Sequence, residues 1–173
     1  NEGNWVSILG SSGSGKSTIS NILKIVLKEG YQLKTVVFSI DDFYKTYKDR
    51  KKMSIKVSPL FLTRGVPGTH ESKLLLKCIK KLKSKNFKKA LIPKFDKSID
   101  DRLSKKRWQK IKTQPNIVIF EGWCVGIRPQ KNKDLINPVN KLEKKKDKKR
   151  IWRKRVNLEL KKDYKKIFKL IDK

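Results

Sequence analysis

The run Gly10-Ser11-Ser12-Gly13-Ser14-Gly15-Lys16-Ser17 constrains this chain more than any other feature. It fits the spacing GxxxxGK[ST], and a chance match in a chain of this composition is expected only about once in a hundred. Its context supports it. Trp5-Val6-Ser7-Ile8-Leu9 before it is an apolar run of buried-strand type. After it, Ile19, Ile22, Leu23 and Val26 recur at i, i+3, i+4 and i+7, an amphipathic helix that Gly30 can end. Glycines in such a turn let successive backbone N–H groups converge on phosphate oxygens at the positive end of the helix. Lys16 would neutralise the outer phosphates, the Ser17 hydroxyl would ligate Mg²⁺, and Thr18 continues the first turn. A nucleoside triphosphate is the expected ligand.

The chemistry must come from the other strand ends, because ligands of open α/β sheets sit beyond the carboxyl ends of the strands. Thr35-Val36-Val37-Phe38-Ser39-Ile40 is a second strand ending at Asp41-Asp42, and Ile117-Val118-Ile119-Phe120 is a third ending at Glu121. Three strand ends therefore aim at one crevice, and a carboxylate there can accept a hydroxyl proton or hold Mg²⁺. Leu75, Cys78, Ile79 and Leu82 repeat at helical spacing after Ser72, and Val156, Leu160, Tyr164, Ile167 and Ile171 form a last helical stripe. Residues 43–71 read as loop with short helical pieces, and residues 93–112 as polar and irregular.

Composition narrows the partners. The 173 residues carry 46 basic and 16 acidic side chains, a formal charge of +30. Such a charge invites a nucleic-acid reading. Yet 38 of the basic residues are Lys and 8 are Arg, with 17 Ile, 9 Asn and Ala90 alone, the signature of A/T-rich codons. A lysine-coated protein without such a partner is favoured, and the run at 141–155, ten basic and two acidic residues, has only Trp152 as an aromatic for stacking. No apolar run approaches the roughly 18 residues of a membrane span. Cys78 and Cys124 form no CxxC pair and with His70 make too few soft ligands for a closed zinc site. A reducing, cytoplasmic setting is expected, with no leader ahead of the first strand; the only Met is Met53, so the natural start is expected to be missing.

Taken together, GSSGSGKST, SIDDFYKT, RGVPGTHE, IPKFDKSIDDR and VIFEGWCVGI resemble the D-glycerate 3-kinase family of P-loop kinases. That family is similar to uridine kinases, pantothenate kinases and phosphoribulokinases, and RVNLELKKDY resembles its VN…L…Y segment. The resemblance implies a three-layer αβα P-loop fold with a parallel sheet. It also implies an ATP- and Mg²⁺-dependent kinase acting on a small hydroxy acid. Carried over by position, Lys16, Asp41 and Glu121 would be catalytic, with Asp41 as general base or Mg²⁺ neighbour and Glu121 organising Mg²⁺ beside Ser17. Asp42, Tyr44, Arg64, His70 and Arg102 would meet the acceptor, the arginines holding a carboxylate.

Glu71 stands where that family more often has Asp, Ile127 where Phe is usual, and Asp100 where Gly commonly precedes the Asp-Arg pair. The group also continues into further parallel strands and an arginine-bearing lid. Residues 1–173 are therefore expected to form one kinase domain, incomplete at its C-terminal end, with the next strand beginning near residues 170–173 and the first strand uncovered on one side. A uridine- or pantothenate-type kinase, a nucleic-acid-binding P-loop ATPase and an inactive nucleotide-binding fragment are the alternatives.

Overall fold

The computed structural model describes residues 4–171. β1 (Asn4–Leu9), β2 (Thr35–Ser39) and β7 (Ile117–Gly122) form a parallel sheet in the order β1-β7-β2. β7 is buried along most of its length, as its unbroken apolar run requires of a central parallel strand. Register brings Ile8 and Ser39 level with Glu121, so the carboxyl ends finish together.

Alternation along β7 divides the core. Val118 and Phe120 join Val36 and Phe38 in the cluster built with α3 (Ser72–Leu82) and α6 (Lys165–Lys169). Ile119, fully buried, points to the other face. There α1 (Lys16–Tyr31) packs on the sheet, which completes the helix, sheet, helix layering. Leu75, Cys78, Ile79 and Leu82 are all buried, in agreement with their spacing.

The stripe on α1 behaves differently. Ser20 is the only buried residue of α1, while in the stripe Ile19 is 50% and Ile22 54% exposed. Val6 and Leu9 on β1 are exposed as well, and among the described residues β1 pairs only with β7. An apolar face and a bare sheet edge thus lie side by side.

Four local expectations are corrected. Gly30 does not end α1; Gln32 takes the left-handed conformation (φ 53°), with Gln32 N–H on the Lys28 carbonyl and Leu33 N–H on that of Leu27. This is a Schellman closure made without glycine. Within residues 43–71 stands a full helix, α2 (Tyr47–Lys56), which has no apolar stripe and is anchored by the buried Arg50. Residues 93–112 are ordered: β4 (Phe95–Asp96) pairs antiparallel with β5 (Asp101–Arg102), and β3 (Ala90–Ile92) with β6 (Gln109–Ile111). At the far end Leu170 and Ile171 make a turn closing α6 rather than starting a strand, and Asp172 and Lys173 lie outside the described residues.

The basic run is also more than surface. α4 (Lys141–Lys146) and α5 (Ile151–Glu159) meet at a buried knot in which Arg153 pairs with Asp147 at 3.2 Å and donates to the carbonyls of Leu135 and Ile136. The run's two acids, Glu143 and Asp147, are both buried there. No helix among the described residues is long and apolar enough to cross a membrane.

Candidate active site

The loop from Gly10 to α1 takes the shape its glycines permit. Gly13 (φ 78°) and Gly15 (φ 82°) are left-handed, a conformation costly for side-chain-bearing residues. A Cβ on Gly10 would come within 2.7 Å of Ser14 Oγ. Lys16 Nζ folds back to donate to the Ser11 carbonyl at 2.7 Å. Ser12, Gly13, Lys16 and Ser17 line a cavity of about 560 Å³, while Thr18 is exposed on the first turn of α1.

Across that cavity stand the three acids. Glu121 is buried, and its Oε1 accepts from Ser17 Oγ at 3.1 Å. Asp41 and Asp42 sit on a 3₁₀ turn, Ile40–Phe43, closed by a capping box. Ser39 Oγ accepts from Asp41 N–H at 3.2 Å and Asp42 Oδ2 accepts from Ser39 N–H at 3.2 Å. Asp42 is buried and pairs with Lys94 at 3.0 Å; burial raises its pKa, against the lowering pull of that lysine. Asp41 pairs with Lys97 at 3.0 Å through Oδ2, and its Oδ1 is buried without a partner.

Of the residues expected to meet the acceptor, Asp42 lines the cavity, while Tyr44, Arg64, His70 and Arg102 do not. Tyr44 stacks on His70 with ring centres 4.4 Å apart, and its phenol pKa is raised by burial and by Asp41 nearby. Arg64 is committed to Asp100 and lies over the Phe95 ring. Arg102, on β5, has a buried Nη1 with no hydrogen-bond partner. Asp100 itself is left-handed (φ 53°), a conformation glycine adopts freely and Asp tolerates. There its carboxylate takes both Arg50 (2.9 Å) and Arg64, so the substitution for glycine carries a new contact.

His70 is wholly buried. Its Nδ1 lies 2.5 Å from Tyr164 Oη, which also accepts from Gly68 N–H at 3.3 Å. Tyr164 Oη and His70 Nδ1 therefore share one hydrogen bond, and the ring's Nε2 is buried with no partner among the described residues. A π-helical turn, Leu160–Tyr164, places that phenol. Burial pushes the His70 pKa down to about 3. Since the folded value lies below the unfolded one near 6.5, this stability is present above pH 6.5 and is lost as pH falls toward 3. Urea unfolding at pH 6.5 and pH 5 should show wild type losing about 2 kcal/mol from this group. A His70→Gln variant should lack that share of the loss; an equal loss in both would refute the assignment.

The segments RGVPGTHE and VIFEGWCVGI meet in space, since Trp123 Nε1 donates to the Gly65 carbonyl at 3.0 Å. Sequence reasoning missed Lys94 and Lys97. Among so many lysines nothing marked them except their place in IPKFDKS, beside the Asp-Arg pair.

A glycine-rich cradle at a helix start, with acids at the ends of the adjoining parallel strands, defines a P-loop protein of the nucleotide-binding α/β class. The chain belongs to the phosphoribulokinase/uridine kinase family, whose model matches residues 5–153. It is 36% identical over 132 residues to the probable ATP-dependent kinase TDA10 of Saccharomyces cerevisiae, covering 69% of this chain and 45% of that one. It is 29% identical over 125 residues to the chloroplastic D-glycerate 3-kinase of Arabidopsis thaliana, covering 68% and 27%. Among solved structures, D-glycerate 3-kinase from Cryptococcus neoformans superposes with a TM-score of 0.81 at 28% identity, over 99% of this chain and 62% of that one. The chain spans less than two thirds of the length of each.

Proposed function

We propose that this chain is the nucleotide-binding part of a kinase that moves the γ-phosphoryl group of ATP to a hydroxyl of D-glycerate or a closely related small hydroxy acid. The observation that carries the reading is the convergence of Lys16, Ser17, Asp41 and Glu121 on one cavity. The two glycerate kinases among its relatives favour the acceptor.

The geometry supports the following roles. Lys16 and the backbone N–H groups of the loop hold the phosphates. Asp41, with one oxygen unpartnered, takes the acceptor's hydroxyl proton as the acceptor's oxygen bonds the γ-phosphorus. The bond to the bridging oxygen breaks, and its electron pair leaves with ADP. Arg102, with a free donor, is the candidate for the acceptor's carboxylate.

The Ser17 hydroxyl and the Glu121 carboxylate, 3.1 Å apart, are hard oxygen donors with no cation on Glu121 among the described residues, and they suit Mg²⁺. When bound, Mg²⁺ supplies charge neutralisation of the β- and γ-phosphates. Residues 1–173 form one unit in this reading, with the outer edge of β1 bare among the described residues. Both cysteines are free and buried, with thiol pKa values pushed up to about 12 by burial, which fits a reducing compartment such as the cytoplasm.

A coupled ADP-release assay with D-glycerate, uridine and pantothenate tests the acceptor. Turnover is expected with D-glycerate alone. ATP consumption with uridine or pantothenate instead, or with none of the three, would overturn the substrate assignment.

A further inference from the structure

Two lysines in the segment of the β4–β5 hairpin each hold one of the two aspartates, but in unlike ways. Lys94 reaches both oxygens of the buried Asp42, at 3.0 and 3.2 Å, and that carboxylate also closes the capping box. This pair is a fixture of the turn. Lys97 touches Asp41 through Oδ2 at 3.0 Å, and its side chain is 62% exposed against 26% for Asp41. An exposed ion pair of this kind is weakly held.

We propose that Lys97 is a catalytic cation that changes partners: paired with Asp41 here, it turns in the reaction to the oxygens of the transferring phosphoryl group. The inference rests on the phosphoryl-transfer reading above. Lys97 and Asp41 line the same cavity as Ser12, Gly13 and Lys16, so the ammonium and the phosphate cradle share one space. Its four-carbon stem can carry the charge across that space. The base of the hairpin meanwhile stays fixed, because Asp100 is clamped by Arg50 and Arg64.

Arg64 cannot easily supply this charge, being committed to Asp100. A phosphoryl group gathering negative charge on three oxygens attracts the ammonium more strongly than one carboxylate does. Departure of Lys97 also leaves Asp41 free to receive the acceptor's proton. Lys97 stays protonated throughout. The proton passes from the acceptor hydroxyl to Asp41, and the electron pair of the broken bond leaves with ADP.

The test compares binding of MgADP with binding of MgADP plus aluminium fluoride, a mimic of the transferring group, to the full chain and its Lys97→Met and Lys97→Arg variants. Lys97→Met should bind the mimic about 100-fold more weakly, while its affinity for MgADP stays within about two-fold. Lys97→Arg should recover most of the loss. Unchanged mimic affinity in Lys97→Met, or an equal loss for MgADP alone, overturns the proposal whatever the acceptor. Wild type that fails to phosphorylate D-glycerate while the binding difference persists instead overturns the acceptor reading and supports the role of Lys97.

Discussion

Asp41→Asn is expected to lower turnover by about three orders of magnitude, within the range a positioned general base contributes, and to leave ATP affinity nearly unchanged. Asparagine matches the shape but cannot take a proton. The fold leans little on the lost charge: Asp41 holds its turn through its backbone N–H on Ser39 Oγ, and its carboxylate pairs with the exposed Lys97 beside the Tyr44 phenol. Asp42→Asn should act otherwise, because that buried carboxylate accepts the Ser39 N–H and the Lys94 ammonium. Its cost is expected in stability more than in chemistry. Steady-state kinetics and nucleotide titration of both variants separate the two; loss of ATP binding in Asp41→Asn would refute its assignment as base.

These adjacent aspartates show where sequence reasoning stops. The phosphate loop, the three strands of the sheet and the helix at Ser72 were legible because each rests on a short-range pattern: glycines at set spacing, β-branched runs, apolar residues three and four apart. Both line the cavity, and which of them is tied into the turn depends on the capping box, and so on a Ser39 whose role appears only when β2 ends. The hairpin was missed because it has almost no apolar alternation and is held by guanidinium groups reaching across the chain. The stripe of α1 was legible as a helix yet misleading as a core, since Ile19, Ile22 and Val26 are exposed among the described residues. Periodicity shows that a face is apolar; it does not show what lies against it.

Arg50→Met should be the most destabilising substitution outside the apolar core, at about 3 kcal/mol. Arg50 is fully buried, and its Nε, Nη1 and Nη2 donate to the carbonyls of Lys45 (3.3 Å), Leu62 (2.6 Å) and Asp100 (2.5 Å). Its charge meets Asp100 at 2.9 Å, and its guanidinium lies over the rings of Tyr47 and Phe95. Methionine restores the packing but leaves three carbonyls without their donor, so the loss is chiefly of hydrogen bonds. Asp100→Asn removes only a carboxylate that is 37% exposed, and solvent already screens that pair. Its cost should be about 1 kcal/mol or less. The contrast reaches function, because Arg50 is what ties α2, the 62–65 turn and the β4–β5 hairpin into one support under Lys94 and Lys97. Arg50→Met should therefore lose turnover even at temperatures where it stays folded, as the hairpin that carries the two lysines is no longer fixed beside the cavity. Urea unfolding gives the first quantity and kcat at low temperature the second; a variant as stable as wild type would show that the buried guanidinium is dispensable to this fold.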